Sequence, residues 1–176
     1  TVFTACNGTC STRFTSIGNL GEASSLGAPV TVADGTIVFS QSSQYSDSII
    51  YLGDGDSSNR NWDINGDAGL VRNQGTGTLE ITGDVDISVG GGFYAETADI
   101  RLLGTLSGGN YAFNASAGRY VQLGNDNSFT GVAALAGDIR VGKLADIGSA
   151  SSLGAGTTIS LVNGTLAYEG EGDASN

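Results

Sequence analysis

Between Leu123 and Tyr168 short runs of aliphatic and β-branched residues (138–141, 158–162 and 165–168) are interrupted at near-regular spacing by Gly, Asn, Asp and Ser. Such spacing predicts short strands joined by tight corners. Helix is expected to be marginal at most, because no window of 11 or more residues keeps an i, i+3, i+4, i+7 apolar pattern free of Gly. The longest attempt, 132–136, is five small or aliphatic residues.

Part of this stretch occurs twice. Residues 20–28 (LGEASSLGA) align with 147–155 (IGSASSLGA), seven identities in nine positions at an offset of 127 (147 minus 20). Both copies run on towards a Gly-Thr-aliphatic segment, 35–39 and 164–166, and are expected to form strand, turn, strand. A repeat unit of this size cannot bury its apolar face alone and must stack on its neighbours. Frequent strands alone would also suit a sandwich or a barrel; the repeat and the short strands favour parallel stacking into an all-β solenoid of 20 to 25 residues per coil. At 176 residues the chain reads as a single β-helix segment, 1–176.

The cleanest two-residue alternation lies at 77–89: Leu79, Ile81, Val85, Ile87 and Val89 on one side, Glu80, Thr82, Asp84, Asp86 and Ser88 on the other. One side is expected to be core and the other wet. Further strands are expected at 12–16, 30–32, 36–39, 48–52, 61–64, 69–72, 99–103, 110–113 and 119–123. The polar stretch 53–59 reads as a protruding loop.

With 29 Gly, one Pro and 39% apolar residues, the chain should be folded and turn-rich. Its net charge is −11, and the seven basic residues are scattered singly, which argues against nucleic acid as a partner. No run approaches the roughly 18 to 20 apolar residues of a membrane-spanning helix, so no membrane insertion of this segment is expected. The terminal GEGDASN reads as a cut through a repeat, so the segment is expected to be a fragment of a longer rod.

Cys6 and Cys10 flank an Asn-Gly turn, and the reading is a small disulfide loop within residues 1–12, suited to an oxidising compartment. The rivals are two free thiols and a metal pair; the latter lacks partners, since the chain has no His and no second Cys pair.

At 123–168 the motifs Asn125-Asp-Asn-Ser-Phe-Thr-Gly131, Ala136-Gly-Asp-Ile-Arg-Val-Gly142, Ser152-Leu-Gly-Ala-Gly156 and Asn163-Gly-Thr-Leu166 resemble the passenger-associated transport repeat of bacterial autotransporters. The resemblance implies a right-handed parallel β-helix, exported across the outer membrane and displayed at the bacterial surface or secreted. Passengers of this family serve as adhesins, self-association factors, proteases or toxins, so the fold does not assign an activity.

Without His, Ser-His-Asp and Cys-His nucleophile systems and zinc-protease signatures are absent from the sequence, and no phosphate-cradling Gly loop is present. Glu80, Asp84 and Asp86, with Arg72 or Arg101 on adjoining coils, are the candidates for a polysaccharide-cleaving carboxylate site; a solvated strand face has the same spacing. Asp54 and Asp56 begin like a calcium loop but lack its Gly and its distal Glu. Trp62, the one Trp, suits either the core or a partner contact. The expectation is therefore a non-enzymatic adhesin or adhesin stem that needs no cofactor and no metal. Its contacts would come from Asp54, Asp56, Trp62, Glu80, Asp84 and Asp86. The partner would be a host-surface protein or glycan, or another copy of the chain.

Overall fold

A computed structural model describes residues 2–4, 11–40, 48–65, 69–124 and 126–173. Cys6 and Cys10, and with them the disulfide reading, lie outside the described residues. The strands in chain order are β1 (Val2–Thr4), β2 (Ser11–Phe14), β3 (Ile37–Ser40), β4 (Ser48–Tyr51), β5 (Asp54–Ser58), β6 (Trp62–Asn65) and β7 (Gly69–Asn73). There follow β8 (Gly77–Ile81), β9 (Val85–Ala95), β10 (Ile100–Leu102), β11 (Leu106–Ala115), β12 (Tyr120–Leu123), β13 (Ala133–Val141) and β14 (Ile159–Tyr168). The one helical element is a single turn, α1 (Val32–Gly35).

Every pairing between these strands is parallel, and together they form a three-faced β-solenoid. The first face stacks β1, β3, β6 and the opening halves of β9 and β11. The second stacks β2, β4, β7, the closing halves of β9 and β11, and the opening halves of β13 and β14. The third stacks β5, β8, β10, β12 and the closing halves of β13 and β14. On the first face the chain advances 25, 23 and 21 residues from Ile37 to Trp62, Val85 and Leu106. The windings thus keep close to the expected coil length.

Each face lines the core with in-register apolar columns. Ile37, Trp62, Val85 and Leu106 form one; Ile49, Val71, Phe93, Phe113 and Leu135 a second; Leu79, Ile100, Val121 and Ile139 a third, all of them buried. Burying each such aliphatic side chain contributes about 1.5–3 kcal/mol, which is why the period-two pattern is kept on every wall. Phe129 completes an aromatic cluster, its ring centroid 4.6 Å from Tyr111 and 6.4 Å from Phe113. Leu79, Ile81, Val85 and Ile87 are buried as expected. Val89 is half exposed, because β9 turns there from the first face to the second, and its partner β11 shifts register between Gly108 and Asn110.

Two expected elements differ. Residues 53–59 do not protrude: 54–58 form β5, in register with β8. Glycine makes this fit, since a Cβ on Gly75 would lie 2.1 Å from the Gly53 carbonyl oxygen and one on Gly77 2.0 Å from that of Asp54. Residues 30–32 are not a strand. Thr31 caps α1, its Oγ1 accepting from Asp34 N at 3.2 Å and donating to Asp34 Oδ2 at 2.7 Å. The loop holding this turn is tied down by Arg60, which is fully buried and donates to Gly35 O (2.7 Å) and Ile17 O (3.4 Å).

Both copies of the repeat build the same turn. In each, the first Ser Oγ donates to a Gly carbonyl (Ser24 to Gly27, 3.0 Å; Ser151 to Gly154, 2.8 Å) and accepts from a Leu N–H (Leu26 and Leu153, both 3.1 Å). The second Ser Oγ accepts two backbone N–H groups from the start of the loop: Thr15 and Ser16 for Ser25, Gly142 and Lys143 for Ser152. The glycines match as well, with φ of 86° at both Gly21 and Gly148 and of 83° and 80° at Gly27 and Gly154. The flanking strands do not match: the first copy follows β2 of the second face, the second follows the third-face half of β13.

Asn127 is fully buried, with Nδ2 donating to Ser152 O (2.8 Å) and Gly124 O (3.2 Å) and Oδ1 accepting from Leu106 N (2.9 Å). Asn127→Ala leaves these groups unpaired in the interior and is expected to lower stability by about 2–3 kcal/mol, read as a lower urea midpoint at unchanged m-value. Tyr111 gives a pH prediction. Burial first, then the Asp86 carboxylate, holds its phenol pKa far above the usual value. Stability is therefore intact below about pH 10, where folded and unfolded chains both keep the proton, and falls at higher pH as the unfolded chain ionises first. Urea midpoints at pH 9 and pH 11 should diverge, and Tyr111→Phe should narrow the gap.

Candidate functional site

Side chains that point away from the core meet across windings just as the inward ones do, so the outer surface is a set of ladders. On the third face Ser57, Glu80, Arg101, Gln122 and Arg140 are consecutive register partners. Ser57 Oγ donates to Glu80 Oε1 at 3.1 Å, Arg101 Nη1 to Glu80 Oε2 at 2.6 Å and Arg101 Nε to Gln122 Oε1 at 2.8 Å. Arg140 lies over the Tyr120 ring, 3.8 Å from its centroid, and pairs with Asp138 and Glu169.

The predicted site residues meet only in part: Asp84 and Asp86 line one shallow cleft together with Asp63, and Glu80 stands apart from them. Glu80 stands on the third face and Asp86 on the first, with Asp84 at the corner between them. Each is engaged across windings: Asp84 Oδ1 accepts from Thr105 N (3.0 Å) and Asp86 Oδ1 from Ser107 Oγ (2.7 Å). Arg72 pairs with Glu96 at 2.6 Å, not with any of the three. The pattern at 77–89 could not reveal this, because alternation shows which side chains face water but not where the wall turns a corner.

Asp56 is structural: its Oδ2 accepts from Ile17 N at 2.6 Å and Gly18 N at 3.3 Å, fastening the first winding to β5. Asp54, beside it, is exposed. Trp62 is 1% exposed and belongs to the first-face core column, which removes it as a surface contact. Its position between Ile37 and Val85 decides the matter, since the register column is continuous through it. Among the described residues no group of three or more Asp, Glu, Cys or His is placed to hold a metal ion.

The surface feature that sequence reasoning missed is a cleft of about 830 Å³ where the second face meets the third, lined by Tyr94, Asn114, Ser116, Arg119, Asp138 and Asn163 among others. These residues come from β9, β11, the turn after it, β13 and β14, so no local motif joins them. A smaller, more apolar cleft of about 440 Å³ adjoins it through the shared Leu70 and Asn114.

Comparison with known proteins gives one strong likeness. The chain is 42% identical over 183 aligned positions to the adhesin BmaC autotransporter of Brucella suis biovar 1 (strain 1330). This chain is a homologue of a segment of an autotransporter adhesin. The alignment takes in 93% of the chain but only 5% of that protein, so the chain spans a small part of its relative's length. No protein-family profile and no solved structure matches. The autotransporter resemblance read from 123–168 is thus supported along nearly the whole chain, and the β-solenoid agrees with it.

The third-face ladder sets a stability expectation. Arg101 and Glu80 are each a quarter to a third exposed, so Glu80→Gln should lower stability by no more than about 1 kcal/mol. The loss should shrink when denaturation is repeated in high salt.

Proposed function

We propose that this chain is part of a surface-displayed or secreted autotransporter passenger and serves there as an adhesive segment or as the stem that presents one, without catalysis. The observation that carries the reading is the 42% identity, over 93% of the chain, to a protein named an adhesin. Two features of the geometry support it. Glu80, Asp84 and Asp86 are each engaged by a neighbouring winding, as the polar side of a stacked wall would be. The in-register stack is stiff by construction, with each winding hydrogen-bonded to the next, which suits a spacer that holds binding surfaces away from a cell. The partner is a host-surface protein or glycan, or a second copy of the chain. A net charge of −11 makes nucleic acid a poor partner.

The test is deletion of this segment from the full-length displayed protein. Attachment to host cells should fall, either with surface display intact, as for an adhesive segment, or with distal epitopes less accessible to antibody, as for a stem. If both attachment and presentation are unchanged, the reading is wrong.

A further inference from the structure

The cleft between the second and third faces holds polar groups that nothing in the fold uses. The side chains of Asn114, Arg119 and Asn163 have no hydrogen-bond or ion-pair partner among the described residues. For Arg119 this is notable in a chain with 18 acidic side chains against seven basic ones. Arg72, Arg101, Arg140 and Lys143 each pair with a carboxylate, and Arg60 is buried against backbone carbonyls; exposed Arg13 is the other basic residue with no such partner among the described residues, and it lines no cleft with Arg119. Asn163 adds an independent sign: at φ 54° it is the only non-glycine residue with a left-handed backbone among the described residues. Asn is among the few side chains that adopt this conformation readily, and here it sits where β14 shifts register against β13. Here the following Gly164 lies against the carbonyl of Gly137, so the turn presents the Asn163 amide at the cleft while the small residues pack beneath.

We propose that this cleft binds an acidic saccharide, with the Arg119 guanidinium taking its carboxylate and the Asn114 and Asn163 amides its ring hydroxyls. This deepens the adhesin reading and rests on it. The volume, about 830 Å³, falls within the roughly 300–1,000 Å³ of small-ligand sites. A protein partner would call for about 800 Å² of contact centred on aromatic anchors; the cleft offers one aromatic, Tyr94, whose ring is faced by Arg72 at 5.5 Å and whose hydroxyl is 3.1 Å from Ser116 Oγ. Amide, hydroxyl and guanidinium groups around small apolar side chains suit a ligand with polar edges and C–H faces, and the one carboxylate in the lining, Asp138, is paired with Arg140 at 3.3 Å. The planar fork of an arginine matches a carboxylate in two parallel hydrogen bonds. The adjoining apolar cleft would extend the track for a longer chain of sugars.

The chain would be titrated calorimetrically with 3′-sialyllactose and a galacturonate tetrasaccharide, with lactose as the neutral control. The acidic sugars should bind, and lactose more weakly. Arg119→Gln should weaken acidic-sugar binding about tenfold or more and abolish the preference over lactose. Asn163→Gly, which relieves the backbone, should weaken binding without lowering the melting temperature. Arg13→Gln, on the second face near the start of the rod, should change nothing. Absence of acidic-sugar binding at millimolar concentration, equal binding of lactose, or binding indifferent to Arg119→Gln would each overturn the proposal. Beads coated with wild-type chain or with Arg119→Gln separate this from the broader reading. If both attach to host cells equally, the cleft proposal falls and the adhesive role stands; if wild-type beads do not attach and the acidic sugars do not bind, the cleft proposal and the adhesive-segment reading both fall and only the stem reading stands.

Discussion

The structure depends on parallel, in-register hydrogen bonding between successive windings. A parallel strand cannot be closed by a hairpin; it needs the whole circuit of the prism before the next strand can pair. Once one winding sets the register, the inward positions of the next must be apolar along the same columns. Ile49, Val71, Phe93, Phe113 and Leu135 show this on the second face, with each residue both buried and directly above its predecessor. Leu161 of β14 continues the same column, in register with Leu135.

The same constraint sorts the polar residues. A side chain pointing outward from one winding finds its register partner on the next within hydrogen-bonding reach, so ladders such as Ser57, Glu80, Arg101 and Gln122 arise without a binding function. Inside the corners, where the backbone leaves the ladder, Asn73 and Asn127 fill the gap by satisfying carbonyl and N–H groups at once. Buried, fully bonded asparagines of this kind cost little in place and much when removed. Polar groups that neither ladder nor corner employs are therefore the ones that call for another explanation, and Asn114, Arg119 and Asn163 are such groups.

What the sequence made legible was the period of the walls and the presence of corners. Leu79 through Ile87 could be assigned to the core from alternation alone, and the solenoid from repetition. What it hid was phase. Residues 53–59 look like a loop because six of the seven are Gly or Asp or Ser, yet close contact between windings favours glycine and turns that stretch into wall. Trp62 is ambiguous by alternation of four residues but unambiguous once Ile37 and Val85 lie on either side. Glu80 and Asp86 look as if they share a face because an even spacing puts them on one side of a continuous strand, whereas a prism puts a corner between them. The cleft was illegible for the same reason from the other direction: its residues are far apart in sequence and meet only because windings of slightly different length bring them to one edge.

The repeated nine residues bear on this directly. Their two copies reproduce the same serine hydrogen bonds and the same two left-handed glycines, yet they follow different faces of the prism. A unit that defined a winding would have to recur in one phase. A unit that recurs in two phases instead defines a local turn, stable through its own contacts and insertable wherever the wall leaves a corner. The second copy packs Leu153 into the core beside Phe129, whereas the first leaves Leu26 only partly covered and relies on Arg60 to hold its carbonyls. The identical sequence is thus buried to different depths by different surroundings. In such a solenoid the corner inserts vary independently of the walls, so recognition can change along the rod while the stacking that supports it stays the same.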